Sequence, residues 1–363
     1  MGYLAAIAVL VVLIIVHELG HFLAARLQGI HANRFSLGFG PILWKYQGSE
    51  TEYAVRAIPL GGFVGFPDED PESTIPPDDP NLLNNRPILD RAIVISAGVI
   101  ANLIFAYLVL ALQFGIQGIP AGINYEPGVL VPQVLTNDSP AAVAGIRAGD
   151  LIVSIDSQPL EASETAIQVV QQTIQESPNR TVSLKVERGE RVYSLQVTPQ
   201  PDADGVGRIG VQLFPNGTPS YRSPQGIGEI FVLAAEQFQD IVVRTVQGFG
   251  QLITNFGSMA GQVGGPVRIV EEGARLARSD SSSLLFFAAI ISVNLAVLNI
   301  LPLPALDGGQ LAFLLVEGLR GKPLPSKVQE NVMQTGIMLL LGLGIFLIIR
   351  DTTQLEFVQQ LLE

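Results

Sequence analysis

Four long stretches of nearly unbroken apolar residues organise the chain: about Tyr3–Ala25, Ile88–Phe114, Leu284–Leu303 and Val332–Ile349. Each is close to the roughly 20 residues that cross a bilayer as a helix, so each is predicted to be a membrane span. The first lacks the basic lead-in and small-residue cleavage site of a signal peptide and carries Glu18 in its middle, so it is read as a retained span. Between the first two spans, "FSLGFGPILWKYQGSETEYAVRAIPLGGFVGF" mixes β-branched and aromatic residues with Gly and Pro. That pattern predicts short strands and tight turns, followed by an exposed Pro/Asp-rich loop, "PDEDPESTIPPDDPNLLNNRP".

A hydrophilic region of about Gly115–Ser283 separates the second and third spans. Its first part alternates apolar and polar residues in "DLIVSID", "TVSLKVERG" and "RVYSLQVTP", which predicts a small β-rich domain. Later, "IGEIFVLAAEQFQDIVVRTVQGFGQLITNF" has helical apolar spacing interrupted by Glu236, Asp240 and Arg244. It is predicted to be an amphipathic helix lying on a membrane or a partner, too charged for a fifth span. The expected blocks are 1–114 (two spans and the β-loop), 115–200 (the β-rich domain), 201–283 (linker and amphipathic helix) and 284–363 (the last two spans).

Composition agrees with a membrane protein: 48% of the 363 residues are hydrophobic and 15% charged, against about 25% charged in soluble domains. The net charge of −12 argues against nucleic acid as a partner. With no cysteine, disulfides, thiolate metal sites and cysteine catalysis are excluded. Lys and Arg fall in the short loops, at Arg26, Arg34, Lys45, Arg56 and Arg86 after the first span and at Arg320, Lys322 and Lys327 after the third. The bias of positive charge toward the inner side then places both termini and the central domain outside.

The first span contains "HELGH", residues 17–21. Four residues apart on a helix, His17 and His21 share a face and can hold one ion, with Glu18 beside it as general base. An unpaired charge inside a membrane costs at least a few kcal/mol, so three ionisable groups at this depth favour a Zn²⁺ site over histidines that merely bond neighbouring helices. Zinc needs a third protein ligand. His31, the one remaining histidine, falls in a polar turn, and the conspicuous carboxylate is Asp307 in "NLAVLNILPLPALDGGQLAFLL". Pro302 and Pro304 break the helix there, and Gly308 and Gly309 permit close backbone approach. The plain alternative makes Asp307 an N-cap of the next helix.

These motifs together resemble the site-2 protease family of intramembrane zinc metalloproteases, and its bacterial branch that includes the regulator-of-sigma-E protease. HELGH matches the first motif of the family and "NILPLPALDG", Asn299–Gly308, the second. "SAGVIANL", with Gly98 and Asn102, is similar to the small-residue motif of the second span, although Val99 stands where a proline is common. "FSLGFGP" and "IPLGGFVGF" resemble the family's membrane-associated β-loop, and "GGPVRI" a segment before the third span. "NDSPAAVAGIRAGDLIVSIDSQPL", Asn137–Leu160, is similar to a bacterial PDZ core, and the length admits one such domain.

The resemblance implies a polytopic helical membrane protein with four transmembrane helices, a membrane-associated β-loop and one extracytoplasmic PDZ-like domain. It implies Zn²⁺ on His17, His21 and Asp307, Glu18 as the base, and cleavage of single-span membrane proteins such as anti-sigma factors or signal-peptide remnants. Asn299 is implied to bond substrate backbone or the developing oxyanion. Gly61, Gly62 and Phe63 are implied to receive an unwound substrate strand by edge pairing. Asn102 serves substrate or a neighbouring span. The PDZ-like groove would contact a peptide or an ectodomain. Two alternatives come from other classes: an idle membrane scaffold that binds peptide tails, and a zinc transporter, which would want more than one intramembrane metal site. "GFVGFPDED" resembles cyanobacterial and plastid members, so the setting is a bacterial inner or plasma membrane or a thylakoid or plastid membrane.

Overall fold

The computed structural model describes residues 1–363 apart from 71–72, 137, 203, 260, 262, 280 and 354–363. Asn137 at the head of the PDZ-like motif, part of the Pro/Asp-rich loop and the end of the last block therefore lie outside the described residues. In chain order the elements are α1 (Gly2–Leu27), β1 (Arg34–Gln47), β2 (Glu52–Gly65), α2 (Ile88–Gln117), β3 (Ile119–Val131), α3 (Pro140–Val143), β4 (Asp150–Ile155), β5 (Gln158–Pro159), α4 (Ala166–Gln175), β6 (Val182–Arg188), β7 (Arg191–Val197), β8 (Gln200–Pro201), β9 (Gly207–Arg208), β10 (Phe214–Arg222), α5 (Ile227–Thr254), α6 (Phe256–Met259), α7 (Pro266–Ser279), α8 (Ser281–Ile300), α9 (Asp307–Arg320) and α10 (Ser326–Thr353). They form two compact units, Met1–Gln117 with Pro224–Glu363, and Gly118–Ser223.

Among the described residues of the first unit, four helices are long and apolar enough to cross a membrane: α1, α2, α8 from Ser283, and α10. They coincide with the four apolar stretches of the sequence. The third helix ends at Ile300, ahead of Pro302, because a proline inside a helix loses a hydrogen bond and clashes with the preceding turn. Small residues let α1 and α2 touch: a Cβ on Gly20 would lie 2.4 Å from the carbonyl oxygen of Ala97. Helix α5 packs on the protein's own spans: its Ala234 and Ile241 meet Ala106, Leu110 and Ala111 of α2 and Ala289 and Val293 of α8, while Phe231, Val232 and Val246 stay exposed.

Strands β1 and β2 are each used twice. Trp44–Gln47 pairs antiparallel with Glu52–Val55, and Arg34–Leu37 runs antiparallel to Gly62–Gly65 while lying parallel to Glu52–Val55. The result is a four-segment sheet with Gly62–Gly65 at one edge. The chain folds back where Gly38, Gly40 and Gly61 take φ of 84°, 82° and 99°, values that side chains disfavour. Phe22 of α1 anchors this sheet, its ring edge-on to Phe35 at 5.4 Å and to Tyr53 at 6.1 Å.

The second unit is a sheet in the order β10-β3-β4-β6-β7 with β5 beside β4. Val129, Ile152, Ile155, Val170, Val182 and Leu184 are among the residues that fill its core. The residues of the PDZ-like motif have separate tasks here. The Ser139 side chain accepts a hydrogen bond from the N–H of Ala142 and caps α3. Gly145 and Gly149 hold φ of 86° and 89°. Asp150 is fully buried and accepts hydrogen bonds from Arg188 Nε at 2.6 Å and from the backbone N–H of Arg147 at 2.9 Å. The unit extends past residue 200: β10 pairs along β3 from Phe214↔Leu130 to Arg222↔Ile119. Residues 201–223, expected from sequence to be linker, thus belong to the β unit, because β3 needs a partner on its outer side.

Candidate metal centre

Helix α1 carries His17 and His21 one turn apart on the face it turns to α2. Nε2 of the two rings approach to 3.2 Å. Asp307 Oδ2 lies 3.3 Å from His17 Nε2 and 3.5 Å from His21 Nε2. Four tetrahedral bonds of 2.0–2.1 Å around zinc put neighbouring ligand atoms about 3.3–3.4 Å apart, so this triangle has the right size for one ion. The Asp307 oxygen is buried without a hydrogen-bond partner, as an oxygen reserved for a cation would be. Among the described residues, His17, His21 and Asp307 form the one cluster with metal-holding geometry.

Helix α2 sets both imidazoles. His21 Nδ1 donates to the carbonyl oxygen of Val94 at 2.9 Å, which leaves the Nε2 lone pair facing Asp307. The amide of Asn102 meets His17 Nδ1 at 3.3 Å. The two ends of an amide exchange by rotation, so turned with its oxygen to the ring it accepts the Nδ1 proton and leaves Nε2 free to ligate. Asn102 also accepts, through its backbone oxygen, a 2.8 Å hydrogen bond from Ser292 of α8. The rings fit because Gly98 has no side chain: a Cβ there would stand 2.2 Å from His21 Nε2.

Asp307 reaches this site through the broken chain after α8. Ala305 takes φ 71° in the turn, and a Cβ on Gly308 would come 2.2 Å from the Leu301 carbonyl oxygen. The double glycine therefore lets α9 start against the end of α8. The N-cap position of α9 is Leu306, without a side-chain cap. Asp307 is the first residue inside the helix and its carboxylate turns to the histidines, which disposes of the N-cap alternative. Helix α10 supports the turn from behind: Gly336 leaves room for Pro304, and Met333 Sδ accepts the Ala305 N–H at 3.3 Å.

Glu18 lies next to the edge segment of the β-loop; a Cβ on Gly62 would stand 2.9 Å from Glu18 Cγ. Gly61 turns the chain against Phe39, and the Phe63 ring lies under the Arg56 guanidinium at 5.5 Å. Asn299 is buried in the last turn of α8, with no hydrogen bond to the three ligands among the described residues. His31 is not part of the centre and faces Asp79 at 3.7 Å. Sequence reasoning missed the Val94 carbonyl, which carries no side-chain signal, and the contact of Asn102 with His17, for which a polar residue in an apolar span was the only sign.

Comparison with known proteins follows the same pattern. The family model described as Peptidase family M50 matches residues 5–343. A candidate zinc metalloprotease of Nostoc sp. is 61% identical, with 100% of each chain covered. The chloroplastic membrane metalloprotease ARASP of Arabidopsis thaliana is 48% identical over 99% of this chain and 80% of its own. The regulator of sigma-E protease RseP of Escherichia coli is 29% identical over 94% of this chain and 96% of its own.

Proposed function

The chain belongs to peptidase family M50, the site-2 type of membrane zinc metalloprotease, and from that premise we propose that it hydrolyses a peptide bond inside the membrane-spanning segment of single-span proteins. The observation that carries this reading is the triangle of Nε2, Nε2 and Oδ2 atoms, 3.2–3.5 Å on a side, with Glu18 on the same helix. His17, His21 and Asp307 would hold Zn²⁺, which when bound polarises a carbonyl and acidifies water. The donor set of two imidazoles and one carboxylate suits zinc and leaves a fourth position open.

Glu18 takes the proton of the attacking water and returns it to the leaving amine. A substrate helix hides its carbonyls in its own hydrogen bonds, so it must unwind before attack. The edge segment Gly62–Gly65, paired on one side with Arg34–Leu37, offers free backbone groups to an unwound strand beside Glu18. Gly62 lets that strand approach closely, and Phe63 and Gly61 fix the shape of the edge. Asn299 is assigned to substrate backbone or the developing oxyanion, on its burial at the end of α8 and the family motif that it opens. Asn102 is assigned to His17 rather than to substrate.

We place the two termini and the PDZ-like unit on the outer side of a bacterial or plastid membrane, on the Lys/Arg pattern of the short loops. The PDZ-like unit would contact a peptide or ectodomain of the substrate. The scaffold alternative has no use for His17, His21 and Asp307 gathered at one point with Glu18 on the histidine helix. The test is to incubate the detergent-solubilised chain with a tagged single-span protein and map the cut by mass. A cut within the apolar segment supports the reading; cuts confined to soluble flanks contradict it.

A further inference from the structure

We infer that the partly buried ion pair between Arg91 and Glu317 is a positioning device that sets α9 in register with α2 and so brings Asp307 to the two histidines. The inference rests on the metal-centre reading above. Arg91, Val94, Gly98 and Asn102 follow one another along α2 at spacings of three and four, so they share one face. Val94 orients His21, Gly98 makes room for both rings, and Asn102 meets His17. The same face begins with Arg91, whose guanidinium forks onto the Glu317 carboxylate, Nη1 to Oε2 at 3.1 Å and Nη2 to Oε1. One face of α2 therefore contacts the histidine helix and the aspartate helix together.

The geometry suits a register lock. Asp307 opens α9 and Glu317 lies about 15 Å further along it, so the helix is held near both ends. A slip of one residue would move α9 by about 1.5 Å and turn it by about 100°, whereas metal ligands tolerate about 0.2 Å. No continuous helix transmits register from α8, because Pro302–Leu306 interrupts it. The turn fixes where α9 starts, and a two-point fork fixes its rotation and rise. The side chains are 13% and 15% exposed. An ion pair shielded to this degree adds little stability over apolar packing, and its best use is registry.

The experiment compares full-length wild type, Arg91→Ala, Glu317→Gln and the swap Arg91→Glu/Glu317→Arg in detergent. Zinc affinity is read by chelator competition, ligand geometry by the visible spectrum of the Co²⁺-loaded protein, and folding by circular dichroism. The single variants are expected to keep their helical content, lose about tenfold or more in zinc affinity and show an altered cobalt spectrum. The swap is expected to recover affinity to within about threefold of wild type, because a register lock works in either polarity. A folded Glu317→Gln with wild-type affinity overturns the inference. So does a swap that binds zinc as weakly as the single variants, or one that fails to fold. If a single variant does not fold, the swap decides alone. Wild type without zinc removes the metal-centre reading and this inference with it, whereas equal zinc affinity in all four proteins removes this inference only.

Discussion

Gly98 of α2 faces the His21 ring so closely that a Cβ at position 98 would stand 2.2 Å from Nε2. Two other atoms of the site share this constraint, because the same Cβ would reach His21 Cε1 at 2.7 Å and His17 Cε1 at 2.8 Å. Neither ring can retreat and still meet Asp307. Gly98→Ala is therefore expected to lower zinc affinity by about tenfold or more, with helical content unchanged. Chelator competition on the purified protein measures it.

The Asn102 amide holds the Nδ1 side of His17 and has no water to replace it, since the residue is 0% exposed. Asn102→Leu leaves His17 free to turn and to carry its proton on either nitrogen. A loss of about 10–100-fold in zinc affinity is expected. Asn102→Asp keeps an acceptor for Nδ1–H, so its loss is expected to be smaller. The ordering of the two variants, measured side by side, is the informative result.

Gly62 touches Glu18 and also lies 2.9 Å, from its built Cβ, to the Ser36 carbonyl oxygen. A valine there would press on the base and block the sheet edge, yet it touches no metal ligand. Gly62→Val is expected to lower kcat/KM by about tenfold or more, roughly 1.4 kcal/mol of transition-state stabilisation, with zinc content at the wild-type level. A loss of zinc in this variant would place Gly62 in the metal centre instead.

In the β unit, burial alone would push the Asp150 carboxyl up, but hydrogen bonds from Arg188 and from the Arg147 N–H hold it below the usual carboxylate range. A depressed folded-state pKa contributes stability that is present above the unfolded value, near pH 4, and is lost as pH falls through the folded value. The amides of Val182–Arg188 are expected to lose exchange protection in acid below about pH 4, after correction for the intrinsic exchange rate. Asp150→Asn is expected to be less protected at neutral pH and to lack most of this acid step.

The metal centre was legible to different depths. HELGH announced two histidines with a glutamate beside them because helical spacing alone brings them together. Asp307 was legible through a break in an apolar run, since prolines and paired glycines beside a carboxylate make poor helix but a good turn. The Val94 carbonyl was not, because every residue has one and only packing selects it. The pairing of Arg91 with Glu317 was not legible, because it joins residues far apart in sequence. The β-loop read as strands, but the double use of β1 and β2 depends on positive φ at glycines whose turn type the pattern does not specify. The end of the β unit was placed too early because β10, "FPNGTPSYR", carries few β-branched residues and no alternating apolar pattern to announce its pairing with β3. The apolar face of α5 was legible, but the sequence left open whether a membrane or a partner meets it, and Ala234 and Ile241 rest on α2 and α8.

The central claim is that the charged groups buried in α1 are a metal site with its base. The most direct measurement is zinc content and cleavage of a tagged single-span protein, run in parallel on wild type, Glu18→Gln and Asp307→Asn. The expected result is about one zinc per chain in wild type and in Glu18→Gln, weak zinc in Asp307→Asn, and cutting by wild type alone, with Glu18→Gln slowed by at least about a hundredfold. Cutting by Glu18→Gln at the wild-type rate, or wild-type zinc retention by Asp307→Asn, would contradict the account.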